Sequence, residues 1–135
     1  MSGTAGTEAQ NLEVMKRGYE AFAKGDIETL KTLFSADAIW NQTETGVLPG
    51  NYKGAQAILE YFGMLAHESQ GSLRVEPQTM AASGDLVFVL ERVTGARKGR
   101  TLDTKDVLVF KLNNGMVTEV SYFPLDHPVY VEFWS

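Results

Sequence analysis

Cysteine is absent from the 135 residues. That removes a disulfide framework, a thiolate metal site and a cysteine nucleophile at once. Histidine is limited to His67 and His127, and two histidines without a spaced ligand set make no metal site. Basic charge is scarce. Twelve Lys and Arg stand against 17 Asp and Glu, a formal net charge of −5. Phosphate binding needs a basic face, so nucleic acid is excluded as the main partner. No apolar run nears the roughly 18 residues that span a bilayer. The opening "MSGTAGTEAQ" has neither the charged nor the apolar region of a signal peptide. The glycine-bearing turns lack phosphate-loop spacing. The expectation is a cytoplasmic protein with a disordered tail at residues 1–7 and one domain at 8–135. No cofactor, metal, nucleic acid or membrane is expected.

Hydrophobic residues make up 44% of the chain, enough for a core, and their spacing divides it in two. Leu12, Met15, Tyr19 and Phe22 form a helical stripe that Gly25 ends. Asp26 is placed to cap a second helix bearing Ile27, Leu30, Leu33 and Phe34. "DAIWNQT" reads as a strand and "GVLPGNYKG" as a loop. A third helix runs from Ala55 to His67. After Gly71 the period becomes two. "SLRVEPQTMAA", "DLVFVLERVTGAR", "RTLDTKDVLVFKL" and "MVTEVSYFPL" read as strands, with turns at Ser83-Gly84, Lys98-Gly99 and Asn113-Asn114-Gly115. The tail "DHPVYVEFWS" is aromatic enough that Phe133 and Trp134 are expected to dock. The order predicts an α+β domain with helices on one face of a sheet.

A two-residue turn at Lys98-Gly99 sets Arg97 opposite Arg100, so facing residues have numbers summing to 197. Glu91 then faces Asp106, with Val93–Thr104 and Val89–Leu108 on the same side. Two facing carboxylates repel. They lie in water, or pair with Arg92, Arg97, Arg100 or Lys105, or share a proton in a buried site. Parity leaves the direction of that face open.

Three strings carry a family resemblance: "YEAFAKGDIETLKTLFSADAIW", "YKGAQAILEYF" and "DVLVFKLNNGMVTEVSYF". With the tail, they resemble the nuclear transport factor 2-like superfamily, in its SnoaL-like and ketosteroid isomerase-like branches. The resemblance implies a cone-shaped, curved, mostly antiparallel sheet with three helices closing a pocket, often in a homodimer. Asp106 matches the oxyanion-hole aspartic acid of the isomerases, in which an apolar site keeps the carboxyl protonated so that it can donate a hydrogen bond. That match turns Asp106 inward and Glu91 with it. It also turns Trp40 and Gln42 inward on the first strand, and Val120 and Tyr122 on the last. Two departures stand out. The isomerases' general base falls on Gln42, an amide that takes no proton at neutral pH. Their oxyanion tyrosine falls near Gly18, with Tyr19 adjacent.

The expected function is a cofactor-free enzyme of the ketosteroid isomerase or polyketide cyclase type, moving a proton on a small apolar carbonyl compound. Glu91 is the expected base, with protonated Asp106 and Tyr122 as hydrogen-bond donors. Trp40, Gln42, Tyr19, Val120 and His127 are the expected ligand-binding residues. The alternatives are a non-catalytic binding protein using the same pocket, or a dimerisation module.

Overall fold

The structure is a computed structural model. It describes residues 4–42, 48 and 50–135. Four helices and six strands follow in the order α1 (Thr4–Lys24), α2 (Ile27–Leu33), β1 (Phe34–Asn41), β2 (Asn51–Lys53), α3 (Ala55–Glu68), β3 (Arg74–Ser83), β4 (Leu86–Arg97), β5 (Arg100–Asn113), β6 (Met116–Pro124) and α4 (His127–Trp134). The expected tail at 1–7 lies partly outside the described residues, and α1 is described from Thr4. No helix among the described residues is long and apolar enough to cross a membrane.

The local signals explain most of these elements. Asp26 caps α2 by accepting from the Thr29 amide at 3.2 Å and the Thr29 hydroxyl at 2.7 Å. Lys98 and Gly99 both have positive φ, 52° and 75°. This is the left-handed geometry a two-residue hairpin turn needs to match strand twist. The β4–β5 ladder accordingly runs from Arg97↔Arg100 through Glu91↔Asp106 to Leu86↔Lys111 without a break.

The expected cone closed by three helices is not what forms. The sheet is mixed and open, in the order β2-β1-β6-β5-β4-β3. Its edges, β2 and β3, do not pair with each other. Two causes set this arrangement. β1 enters beside β6 in parallel, with Trp40 opposite Val120, so the first strand extends the meander instead of closing it. The tail also folds into a fourth helix. Asp126 caps it by accepting from the Val129 amide, and Pro128 sits at its start, where a missing N–H costs nothing. Part of "GVLPGNYKG" is strand: Asn51–Lys53 pairs antiparallel with β1. Phe34, expected in the second helix, is extended and opens β1.

Helix α4 is held down from the β4–β5 turn. Arg97 is only 4% exposed. Its guanidinium donates to the Phe133 and Ser135 carbonyl oxygens at 3.2 and 2.7 Å, and to Glu68 at 2.9 Å. Arg100 donates to the Glu132 carbonyl at 2.9 Å. Phe133 and Trp134 are buried, so the aromatic tail docks on its own chain. Arg97→Leu strips two helix carbonyls and Glu68 of their donor. It is expected to cost about 2–4 kcal/mol in urea unfolding. A loss below about 0.5 kcal/mol is the contrary result.

Candidate functional site

Between the sheet and the four helices lies a cavity of about 90 Å3, walled almost wholly by apolar side chains, among them Met15, Phe22, Trp40, Phe62, Val93 and Phe110. One water needs about 10–15 Å3, so a small organic molecule has room. Trp40 stands at the centre of an aromatic cluster, edge-on to Phe62, Phe110 and Tyr122 at 5.5, 6.5 and 6.3 Å. Among the described residues, one ionisable acid breaks this wall: the carboxyl of Glu91.

Glu91 is 5% exposed and Asp106 fully buried. Alternation along β4 and β5 turns both toward the helices, opposite each other. The cations near them in sequence are engaged elsewhere. Arg92 forms a two-pronged pair with Asp103, at 2.9 and 2.8 Å, on the exposed face. Arg97 is taken by Glu68 and α4. Hydroxyls serve the pair instead. Tyr19, from α1, donates to Glu91 Oε1 at 2.7 Å, and Tyr122, from β6, donates to Asp106 Oδ2. Asp106 Oδ1 is buried and finds no donor unless the facing Glu91 carries a proton. One proton held between the two carboxyls satisfies that oxygen and removes the repulsion.

Burial raises both carboxyls, and unequally. Glu91 is pushed up to about 8, mainly by burial, with the Tyr19 hydrogen bond acting against the shift and the Asp106 charge reinforcing it. Asp106 is pushed up to about 6 by burial, with hydrogen bonds from Tyr122 and Glu91 favouring its ionised form. The pair titrates as a unit. Both shifts are upward, so the pair keeps a proton between its two carboxyls near neutral pH.

The other expected residues divide clearly. Tyr19, Trp40 and Tyr122 line the cavity with Glu91, while Asp106 lies behind it. Gln42 accepts from Trp40 Nε1 at 3.0 Å and from the Tyr61 hydroxyl at 2.9 Å, bracing the wall without being part of it. Val120 is fully buried core. His127 is exposed at the start of α4, off the cavity, and its neighbour Asp126 caps that helix. Gly18 does line the cavity, but a Cβ there would meet Leu33 Cδ1 at 3.2 Å. The close packing of α1 on α2 disfavours any larger residue at 18, and Tyr19 reaches the carboxyl instead.

Sequence reading missed Tyr61 and Tyr130, and expected Trp134 to dock without placing it in the site. Tyr130 lines the cavity beside Tyr122, its ring edge-on to it at 5.5 Å. Trp134 lines the cavity, and its buried indole N–H has no partner among the described residues. The spacing of Tyr130, Phe133 and Trp134 behind a capping Asp and a Pro was the available helix signal. Among the described residues no three His, Cys, Asp or Glu side chains gather as a metal-ligand set.

The profile of the SnoaL-like domain matches residues 15–120, most of the chain. The chain belongs to the SnoaL-like family. Bal32a, from a soil-derived mobile gene cassette, is 33% identical, with 95% of this chain and 98% of that one covered and a TM-score of 0.91. The uncharacterized protein Rv0034 of Mycobacterium tuberculosis is 25% identical over 96% of this chain and 99% of its own. A putative SnoaL-like polyketide cyclase from Jannaschia shares the fold, with a TM-score of 0.79 at 22% identity over 95% of this chain and 94% of that one. In this SnoaL-like chain the carboxyl pair and most of the cavity wall fall within the matched segment.

Proposed function

We propose that this protein is a cofactor-free acid–base enzyme acting on a small, largely apolar carbonyl compound. Its reaction is proton transfer next to the carbonyl, as in isomerisation, cyclisation or dehydration. One observation carries the reading: a buried carboxyl pair, short of one hydrogen, at the wall of an apolar cavity. Family membership and the fold shared with a putative polyketide cyclase support an enzyme of this general kind.

Glu91 is the member that meets substrate. Its carboxyl shares one proton with Asp106. Once its proton passes to Asp106, it takes a proton from the adjacent carbon, and Tyr19 steadies the carboxylate while it is charged. Burial raises both carboxyls toward neutrality, the range in which proton transfer is most useful. Trp40 supplies an apolar face for a ring. The test is deuterium exchange in D2O, read by NMR over a panel of cyclic enones and ketones. Exchange above the buffer rate at the carbon beside the carbonyl supports the reading. A compound that raises the melting temperature yet exchanges at the buffer rate supports the second reading, a binding protein. Gln42 favours that second reading, since the isomerases' base position here holds an amide committed to Trp40 and Tyr61.

The reading includes a homodimer through the outer sheet face. Phe88 and Phe123, 40% and 53% exposed, flank Leu90, Val107 and Val109 on adjacent strands. Charges of both signs bound this patch, Lys111 with Glu119 at one end and Arg92 with Asp103 at the other. A patch of this kind, rimmed by charge, marks an interface. Phe123→Lys is expected to weaken dimerisation at least about tenfold in sedimentation equilibrium. A wild-type protein that stays monomeric at millimolar concentration removes the dimer from the reading.

A further inference from the structure

Four buried side-chain polar atoms among the described residues have no hydrogen-bond partner: the Tyr52 hydroxyl, Arg97 Nε, Asp106 Oδ1 and Trp134 Nε1. Of these residues, Trp134 alone lines the cavity. The other indole of the chain is satisfied, since Trp40 Nε1 donates to Gln42 at 3.0 Å. Tyr19 and Tyr122 also have acceptors, in Glu91 and Asp106. An indole N–H can only donate, so it takes an acceptor to satisfy Trp134. The rings of Phe133 and Tyr130 pack edge-on to it, at 4.9 and 6.4 Å, and neither accepts from it. A water in that role needs several polar partners, and the cavity wall is almost wholly apolar. The ring is also held firmly. It is 1% exposed, and Arg97 grips the carbonyls of Phe133 and Ser135 on either side of it. A phenylalanine at this position leaves no stranded donor. A donor fixed in place before any ligand arrives is what recognition gains from preorganisation.

We propose that the indole N–H of Trp134 is a ligand-binding donor, and that the site takes a carbonyl compound with a second acceptor oxygen, a dione or a hydroxyketone. The reacting carbonyl lies beside Glu91, and the second oxygen accepts from Trp134. The rest of the wall is apolar and suits the carbon frame that joins them. Trp134 is then a specificity-determining residue. A ligand without the second oxygen leaves the N–H unpaired in a buried site, a stronger ground for rejection than a missing methylene. Helix α4 selects the ligand, while β4 and β5 supply the carboxyl pair. This inference deepens the acid–base reading and rests on it for the place of the first oxygen, but its measurement follows binding alone.

The chain has two tryptophans, so 15N labelling of the indoles gives two N–H signals by NMR, and Trp40, committed to Gln42, is the internal reference. The probes are cyclohexane-1,4-dione and 4-hydroxycyclohexanone, with two oxygens, and cyclohexanone, with one. None has an aromatic ring, so a downfield move of an indole proton reports a hydrogen bond and not a ring current. A two-oxygen probe is expected to move Trp134 downfield and Trp40 much less, while cyclohexanone leaves Trp134 near its starting place. The better two-oxygen probe is expected to bind about tenfold more tightly than cyclohexanone. Trp134→Phe keeps an aromatic ring, removes the N–H and is expected to erase that preference. A Trp134 signal unmoved by both two-oxygen probes at millimolar concentration overturns the proposal. So does an equal move with cyclohexanone, or a preference that survives in folded Trp134→Phe. Should that variant not fold, the signals of the wild-type protein decide. If Trp134 responds as expected while no ketone exchanges deuterium, the acid–base reading fails and this inference stands as the specificity of a binding protein. If exchange occurs with Trp134 unmoved, the reverse holds.

Discussion

Glu91→Gln is expected to lower turnover about 1000-fold while leaving ligand binding within a few-fold. Glutamine is the neutral isostere of the protonated carboxyl. Its amide can donate to Asp106 Oδ1, the oxygen otherwise without a donor, and its carbonyl can still accept from Tyr19. Shape, neutrality and hydrogen bonds to the wall survive, and the transferable proton does not. A loss concentrated in kcat, with KM nearly fixed, identifies an interaction made in the transition state. The comparison uses whichever ketone exchanges fastest with the wild-type protein, with binding followed by thermal shift. Turnover equal to wild type removes Glu91 from the chemistry.

Stability is expected to fall as pH rises from about 5 to 8.5, against the usual acid-side loss. Glu91 and Asp106 are raised from 4.5 to about 8 and from 3.8 to about 6 in the folded chain. Between the unfolded and folded values the native state holds more protons than the unfolded one, so unfolding becomes easier with each step up in pH. Below about 4 both states are protonated and the pair costs nothing. Above about 8 the full penalty applies, on the order of 5 kcal/mol for Glu91. The exposed carboxyls of Asp26, Glu68 and Asp103 are lowered by their hydrogen-bond partners, so they act in the opposite sense and only toward acid. Maximum stability therefore lies on the mildly acidic side. Urea unfolding across that range measures the slope, and Glu91→Gln is expected to remove most of it. A stability that is flat or rising from pH 5 to 8.5 contradicts a buried pair.

The facing of Glu91 and Asp106 was legible because a two-residue turn and a period of two leave only one register. Their burial on the helix side was not, since both faces of β4 and β5 carry apolar residues: Val87 and Val89 inside, Phe88 and Leu90 outside. The resemblance supplied the direction, and the hydroxyls that serve the pair escaped the sequence. They come from other elements, Tyr19 from α1 and Tyr122 from β6. Tyr61 and Tyr130 stayed hidden for the same reason, since their partners Gln42 and Tyr122 lie on other elements. The short edge strand Asn51–Lys53 has too few residues to show a period. The closed cone was an expectation from kinship alone, and nothing in the local pattern could reveal that β1 would run parallel to β6.

That parallel pair also fixes the order in which the molecule can assemble. Trp40 and Val120 are partners 80 positions apart, whereas β4 and β5 meet through a two-residue turn. Closing a long loop costs more entropy than closing a short one, and contacts distant in sequence come late. The hairpins of the meander can form on their own, but the wall that Trp40 completes must wait for β6. The two carboxyls are thus brought face to face early, in a half-built and watery sheet where both are free to ionise. Only the last docking steps exclude the water, so the pair reaches its buried, proton-sharing state at the end of folding.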